Sequence, residues 1–205
     1  MRAVILAAGE GKRLWSHFMR PKPLVSLLGL PLIERNILSL RECGVEEVIV
    51  VTGCYDEEIR AHLGSGEKLG VRIKYLFNPD WKRGNGTSAY SFREEYAEGE
   101  RFVLMMADHI FTLDVMKSFI AAAKDMGEDE LLLAADRRLD KVYDLDECTK
   151  IKAEDNAALR LGKELRDFNA VDCGLFLGTG ELLRALGEAI AEDKCALTDA
   201  VNLMA

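Results

Sequence analysis

Residues 5–24 read ILAAGEGKRLWSHFMRPKPL, and the change of character within this stretch decides the fold. The apolar run Arg2 to Ala7 leaves no room for a helix before Gly9, so it predicts a buried strand. It halts at Ala7-Ala8-Gly9, and the glycine-rich bend beyond carries Lys12 and Arg13. Lys22 then sits between Pro21 and Pro23. Open α/β sheets bind ligands at the carboxyl ends of their strands, so this bend faces a binding crevice.

Working outward, strand-like and helix-like patterns alternate. Pro31 to Cys43 predicts a helix with Ile33, Ile37 and Leu40 on one face and Gly44 just past its end. Glu47 to Thr52 (EVIVVT) predicts a second buried strand, Asp56 to Leu63 a short helix, and Val71 to Leu76 a third strand. A helix over Gly86 to Tyr96 precedes a central strand, Phe102 to Ala107. Asp114 is the expected cap of the next helix, whose buried stripe is Met116, Phe119, Ile120 and Ala123 and which ends at Gly127. Leu131 to Ala135 predicts another strand. Repetition of strand, helix and strand at this spacing implies an α/β fold with a mostly parallel, Rossmann-like sheet flanked by helices.

After Arg137 the rhythm changes. Val142 to Lys152 and Glu164 to Asp172 predict shorter, more polar strands, a small strand-rich excursion before Cys173 to Leu177. Helices over Gly180 to Ala191 and Thr198 to Met204 close the chain. The last one stops at Ala205 without a cap or turn, so the expectation is one domain over residues 1–205 that lacks its C-terminal segment.

Composition sets bounds. The 205 residues suffice for one core. A net charge of −8 argues against broad nucleic-acid binding, so any phosphate site must be a local basic cluster on an acidic body. No apolar run approaches the roughly 20 residues a membrane span needs, and the start lacks a signal-peptide pattern. The cysteines, Cys43, Cys54, Cys148, Cys173 and Cys195, include no CxxC pair and suit a reduced intracellular compartment. His17, His62 and His109 are not spaced as zinc ligands with them.

At the bend, Gly9 and Gly11 let backbone N–H groups approach an anion without interference from a Cβ. The dinucleotide fingerprint fails because its third glycine would fall on Leu14, and no Gly-Lys-Ser/Thr begins a helix as a P-loop requires. Taken alone, two glycines need mean no more than a tight turn. Their company adds more: Arg13 offers a planar fork for phosphate oxygens, Lys22 a compact charge, and the flanking prolines stiffen the backbone that positions it.

AAGEGKRL followed by PKPL, Gly29 and PLIERNI resembles the nucleotidyltransferases that join a nucleoside triphosphate to a phosphorylated sugar or alcohol. The resemblance implies the nucleotide-diphospho-sugar transferase type of fold. It implies that Arg13 and Lys22 bind the triphosphate and stabilise charge at its α-phosphate, with Ala7, Ala8, Gly9 and Gly11 lining the nucleotide. The WSHFMR segment departs from that family's Pro-Leu-Thr element.

Later motifs agree. NPDWKRGNGTS (residues 78–88) reads either as a polar loop capping the next helix or as a base-edge site. In the second reading Gly84 and Gly86 close over a planar ring while Asn85, Thr87 and Ser88 offer hydrogen bonds. The resemblance favours the second. A carboxylate at the end of a buried strand needs a cation or hydrogen-bond donors, and Asp108 in MMADHIF occupies such a place. The resemblance makes Asp108 a Mg²⁺ ligand, and magnesium needs only one or two carboxylates besides phosphate oxygens and water. His109 either orients that carboxylate, contacts substrate or simply packs.

The run Asp144 to Glu147 reads as a solvated turn. Lys163 resembles the family's substrate-phosphate lysine, with Lys150 a second candidate, and Asp172 resembles a substrate-hydroxyl acceptor. ADHIF, DLDECTK, LGKEL and VDCGLF together are most similar to the cytidylyltransferases acting on inositol 1-phosphate, found where di-inositol phosphate solutes are made. That resemblance implies a cytoplasmic, Mg²⁺-dependent enzyme joining CTP to inositol 1-phosphate, with a membrane-embedded domain fused to it in relatives. A C-terminal W-x-D-x-D segment with a second metal-binding aspartate has no match before Ala205, and Asp199, expected in the first turn of the last helix, is a poor substitute. Two other readings stay open: a sugar 1-phosphate nucleotidyltransferase using UTP or dTTP, and a non-catalytic nucleotide-binding module.

Overall fold

The structure, a computed structural model, describes residues 1–11 and 20–205. β1 (Arg2–Leu6) is apolar and buried after its first residue. A small hairpin, β2 (Ser26–Leu27) with β3 (Leu30–Pro31), leads into α1 (Leu32–Glu42). Then come β4 (Glu47–Thr52), α2 (Asp56–Leu63), β5 (Arg72–Phe77) and the short α3 (Asn85–Tyr90). β6 (Phe102–Met106), α4 (Leu113–Ala121) and β7 (Leu132–Asp136) complete the alternating part. The remainder is β8 (Lys150–Glu154), β9 (Ala157–Gly162), the long β10 (Ala170–Gly178), α5 (Gly180–Ala191) and α6 (Leu197–Met204).

β5, β4, β1 and β6 lie side by side and parallel. β10 runs antiparallel to β6 on one edge and to β7 on the other, so β7 points the same way as β6. The sheet is therefore mixed, with most strands running in one direction. β8 pairs antiparallel with the start of β10 and with β9.

Alternation along the central strands divides the core into two layers. Ala3, Ile5, Val48, Val50, Val103 and Met105 face α1, α2 and α4. Val4, Leu6, Ile49, Val51 and Leu104 face α3, α5 and α6. Both faces are covered, which is why the strands carry uninterrupted apolar runs. Each fully buried aliphatic side chain contributes roughly 1.5–3 kcal/mol, enough in aggregate to fix where the strand ends fall. No helix among the described residues is long and apolar enough to cross a membrane.

Three expectations differ from the structure. Thr112, not Asp114, caps α4: its Oγ1 accepts the Val115 N–H at 3.4 Å, and Asp114 lies inside the first turn. The excursion is a β8–β9 hairpin turning through Asp155 and Asn156, both at positive φ, while Val142 to Cys148 forms turns rather than a strand. Glu164 to Asp172 is also not one strand, because β10 begins at Ala170 and runs through the expected Cys173 to Leu177 without a break in the chain.

Candidate active site

β1 and β6 are paired in register to their last residues, Leu6 opposite Met106. One more bond on each side extends them: Ala7 N–H donates to Val51 O at 2.8 Å and Ala107 N–H to Leu6 O at 3.1 Å. Ala8 and Asp108 consequently leave the sheet as neighbours. Asn36, a buried polar residue on the apolar face of α1, donates from Nδ2 to Ala107 O at 3.2 Å and pins the backbone just before Asp108. Sequence reasoning passed over it. A lone asparagine between Ile33 and Ile37 was the available signal, since an amide buried on an apolar face needs a partner.

Lys22 opens a short turn whose bonds are Leu24 N–H to Pro21 O and Val25 N–H to Lys22 O. Pro21, Pro23, Leu24 and Val25 are buried around it, so the lysine is held by its neighbours. Gly11, at φ +62°, makes room for it: a methyl group there would lie 2.9 Å from Lys22 Cβ. Lys22 Nζ reaches Asp108 Oδ2 at 2.5 Å. The glycine bend, the lysine between prolines and the strand-end aspartate thus meet at one place. Arg13 lies outside the described residues.

The other oxygen of Asp108 accepts from His109 Nδ1 at 2.8 Å. Burial pushes the Asp108 carboxyl upward, but the His109 hydrogen bond and the Lys22 ammonium outweigh it and hold the group well below the usual carboxylate range. Across from His109, β10 carries a register shift between Asp172 and Phe176. Gly174 sits in it at φ +69°, and a methyl group there would approach Met106 Cγ to 2.8 Å and the His109 ring to 3.4 Å. Asp172 Oδ1 accepts the Gly174 N–H at 2.7 Å. Burial raises the Asp172 carboxyl, against the lowering effects of that hydrogen bond and of His109.

The donor set tests a divalent cation. Among the described residues no group of three or more His, Cys, Asp or Glu side chains could hold a metal. Asp108 by itself matches the demand of magnesium in a phosphate site, one or two hard carboxylates with phosphate oxygens and water. Its Lys22 partner would then exchange onto phosphate.

The loop from Asn78 to Ser88 differs in part from the expectation that Asn85, Thr87 and Ser88 offer hydrogen bonds to a base: Asn85 is exposed, but the other two are not. Asn78 Nδ2 donates to Thr87 Oγ1 and to Ser88 Oγ, each at 3.0 Å, and Thr87 Oγ1 donates to Gly84 O at 2.7 Å. Thr87 and Ser88 are buried. Asn85 Oδ1 accepts the Leu197 N–H at 2.9 Å, and Gly86 N–H donates to Cys195 O at 2.9 Å. Gly84 and Gly86 let the chain pack on Cys195 and Ala196. The Asn85 and Gly86 bonds tie the start of α3 to the start of α6.

Lys150 also differs from expectation. It is buried, and its Nζ donates to Lys163 O at 2.6 Å and Asp146 O at 3.3 Å, which makes it a staple between two turns. A cation so placed is not available to a phosphate. Lys163 keeps an exposed side chain, 3.6 Å from Glu147 Oε2. Asp199 caps its own helix by accepting the Ala196 N–H at 3.0 Å, in the first turn as expected.

Comparison with known proteins follows the same lines. A curated relative from Rubrobacter xylanophilus, "Bifunctional IPC transferase and DIPP synthase", is 36% identical over 199 residues, covering 96% of this chain and 43% of its own length. One of the same name from Archaeoglobus fulgidus is 32% identical over 203 residues, 99% of this chain and 38% of its own. The chain thus spans about two-fifths of the length of these relatives. Among solved structures, the inositol-1-phosphate CTP transferase from T. maritima superposes with a TM-score of 0.81 at 26% identity, covering 98% of this chain and 80% of that one. The model of the MobA-like NTP transferase domain matches residues 3–192, and the chain belongs to that family.

Proposed function

We propose that this chain is a cytidylyltransferase domain that joins CTP to inositol 1-phosphate and releases pyrophosphate, leaving CDP-inositol. The observation that carries the reading is Lys22 Nζ at 2.5 Å from Asp108 Oδ2, at the paired ends of β1 and β6 beside the glycine bend. The base and the acceptor come from the names of the relatives and of the solved structure.

An oxygen of the acceptor phosphate attacks the α-phosphorus of CTP in line, and the bond to pyrophosphate breaks with its electron pair leaving on pyrophosphate. The nucleophile is anionic at neutral pH, so no general base is required. Catalysis is orientation and neutralisation of charge. Lys22 faces the α-phosphate, and Arg13, placed by its motif, holds the outer phosphates. The bend residues Ala8, Gly9 and Gly11 line the triphosphate, Ala7 N–H being committed to the sheet. Asp108 would hold a divalent cation, Mg²⁺ by its ligand preference, which when bound spreads the negative charge of the phosphates. His109 fixes the orientation of Asp108, Asp172 accepts a hydroxyl of the acceptor, and Lys163 meets the acceptor phosphate. Such a domain works in the cytoplasm on small molecules.

The test is pyrophosphate release with Mg²⁺ across CTP, UTP and dTTP, each with inositol 1-phosphate or glucose 1-phosphate. The highest kcat/KM is expected for CTP with inositol 1-phosphate. Preference for UTP or dTTP with the sugar phosphate would move the chain to sugar nucleotide synthesis. CTP binding indifferent to Mg²⁺, with no turnover for any pair, would leave a binding module.

A further inference from the structure

Two of the polar groups expected to read a base, Thr87 and Ser88, are buried and bonded within the protein, which raises the question of what else a nucleoside would meet beside the glycine bend. Ala8 O accepts the Cys54 N–H at 3.1 Å, so the ends of β1 and β4 stay joined beyond the sheet. Gly53, between them, has no room for a side chain: a methyl group would lie 2.8 Å from Ala8 O and 2.8 Å from both Cβ and Cγ of Trp81. Trp81 is thereby pressed against the chain end that carries the bend. Its ring keeps part of its surface in solvent, and Lys82 Nζ stands 5.3 Å from the ring centroid.

We propose that Trp81 is a stacking wall of the nucleotide site, an indole face on which the pyrimidine ring lies while the triphosphate runs along the bend toward Lys22. This rests on the reading of the chain as a CTP-using transferase. Three features converge on it. The carboxyl ends of β1 and β4 border the crevice of an open α/β sheet. Gly53, itself against Ala8 O, seats the Trp81 side chain at that border through backbone contact rather than through a flexible neighbour. With Thr87 and Ser88 buried and bonded to Asn78, and Asn85 Oδ1 bonded to the Leu197 N–H, the part-exposed indole is a surface there that suits a planar heterocycle. Stacking tolerates any base, so discrimination among pyrimidines falls to backbone groups beside it.

The protein has two tryptophans, Trp15 and Trp81, so Trp15→Phe leaves Trp81 as sole indole emitter. In that background CTP is titrated by fluorescence and, in parallel, by calorimetry, with inorganic tripolyphosphate as the second probe. CTP should quench Trp81 emission, and tripolyphosphate should leave it largely unchanged. Trp81→Ala should weaken CTP about ten-fold and leave tripolyphosphate affinity intact, with Trp81→Phe restoring most of the loss. The inference is overturned if calorimetry reports CTP binding while Trp81 emission stays constant, or if Trp81→Ala weakens CTP and tripolyphosphate equally, the mark of a merely structural role. Failure of the unsubstituted protein to bind CTP at all would remove the transferase reading, and this inference with it.

Discussion

The parallel half of the sheet and the bulged antiparallel half supply the proposed site in different ways. In the parallel half, Ala8 and Asp108 are placed by strands buried on both faces, and a neighbouring ladder bond carries each one past the sheet edge. Their positions follow from hydrophobic burial. In the other half, Asp172 and Gly174 reach the same place through a register shift and a positive φ, and a buried lysine staples the turns behind them. There the position depends on particular polar contacts, each of which a single substitution can undo. The contrast separates changes that remove chemistry from changes that move it.

The largest expected effect lies in the parallel half. Lys22→Ala removes the cation at Asp108 while its buried proline neighbours keep the turn. Turnover should fall by about 10²–10³ in a variant that still folds cooperatively, its melting transition lowered because Asp108 loses a partner. Near-normal turnover of a folded variant would break the mechanism and the contrast together. Next comes a backbone position that joins the helices below the site. At Gly84 a methyl group would meet Cys195 O at 2.3 Å, at a φ of +154°. Gly84→Ala should therefore cost about 1–3 kcal/mol in denaturant unfolding. Lys150→Met is expected to lower stability by about 1–3 kcal/mol, since Lys163 O and Asp146 O lose their donor, while KM for the acceptor changes little. A large rise in that KM would return Lys150 to the phosphate site.

The same contrast explains what could be read from residues alone. EVIVVT, FVLMMA and the run before Gly9 declare their strands because both faces are buried, and the helix over Gly180 to Ala191 declares itself by its stripe. The meeting of Lys22 with Asp108 was legible because each stands at a strand end or a stiffened turn. The hairpin of β8 and β9 was missed although KIKAEDNAALRL carries a signal, alternation around an Asp-Asn pair able to adopt positive φ. The engagement of Thr87 and Ser88 could not be read at all. It depends on Asn78 folding back over both residues, a contact that only the fold creates.

The smallest effect concerns Asp172 and sharpens the contrast most. Its carboxyl is raised in the folded protein by burial, so the folded state favours the protonated form relative to the unfolded chain. A raised acid lowers stability as pH climbs from the ordinary carboxylate value through the raised one, because the unfolded state then binds fewer protons. Asp172→Asn keeps an oxygen for the Gly174 N–H and abolishes the charge. The variant should unfold at a higher temperature than the parent at pH 8, and this advantage should vanish as pH falls to the ordinary carboxylate range. Its turnover should nevertheless fall, since a residue kept at a cost to stability in the bulged half is expected to serve the acceptor. An advantage equal at both pH values would show that the gain comes from packing, and would place Asp172 with the structural contacts of β10 instead of the chemistry it faces.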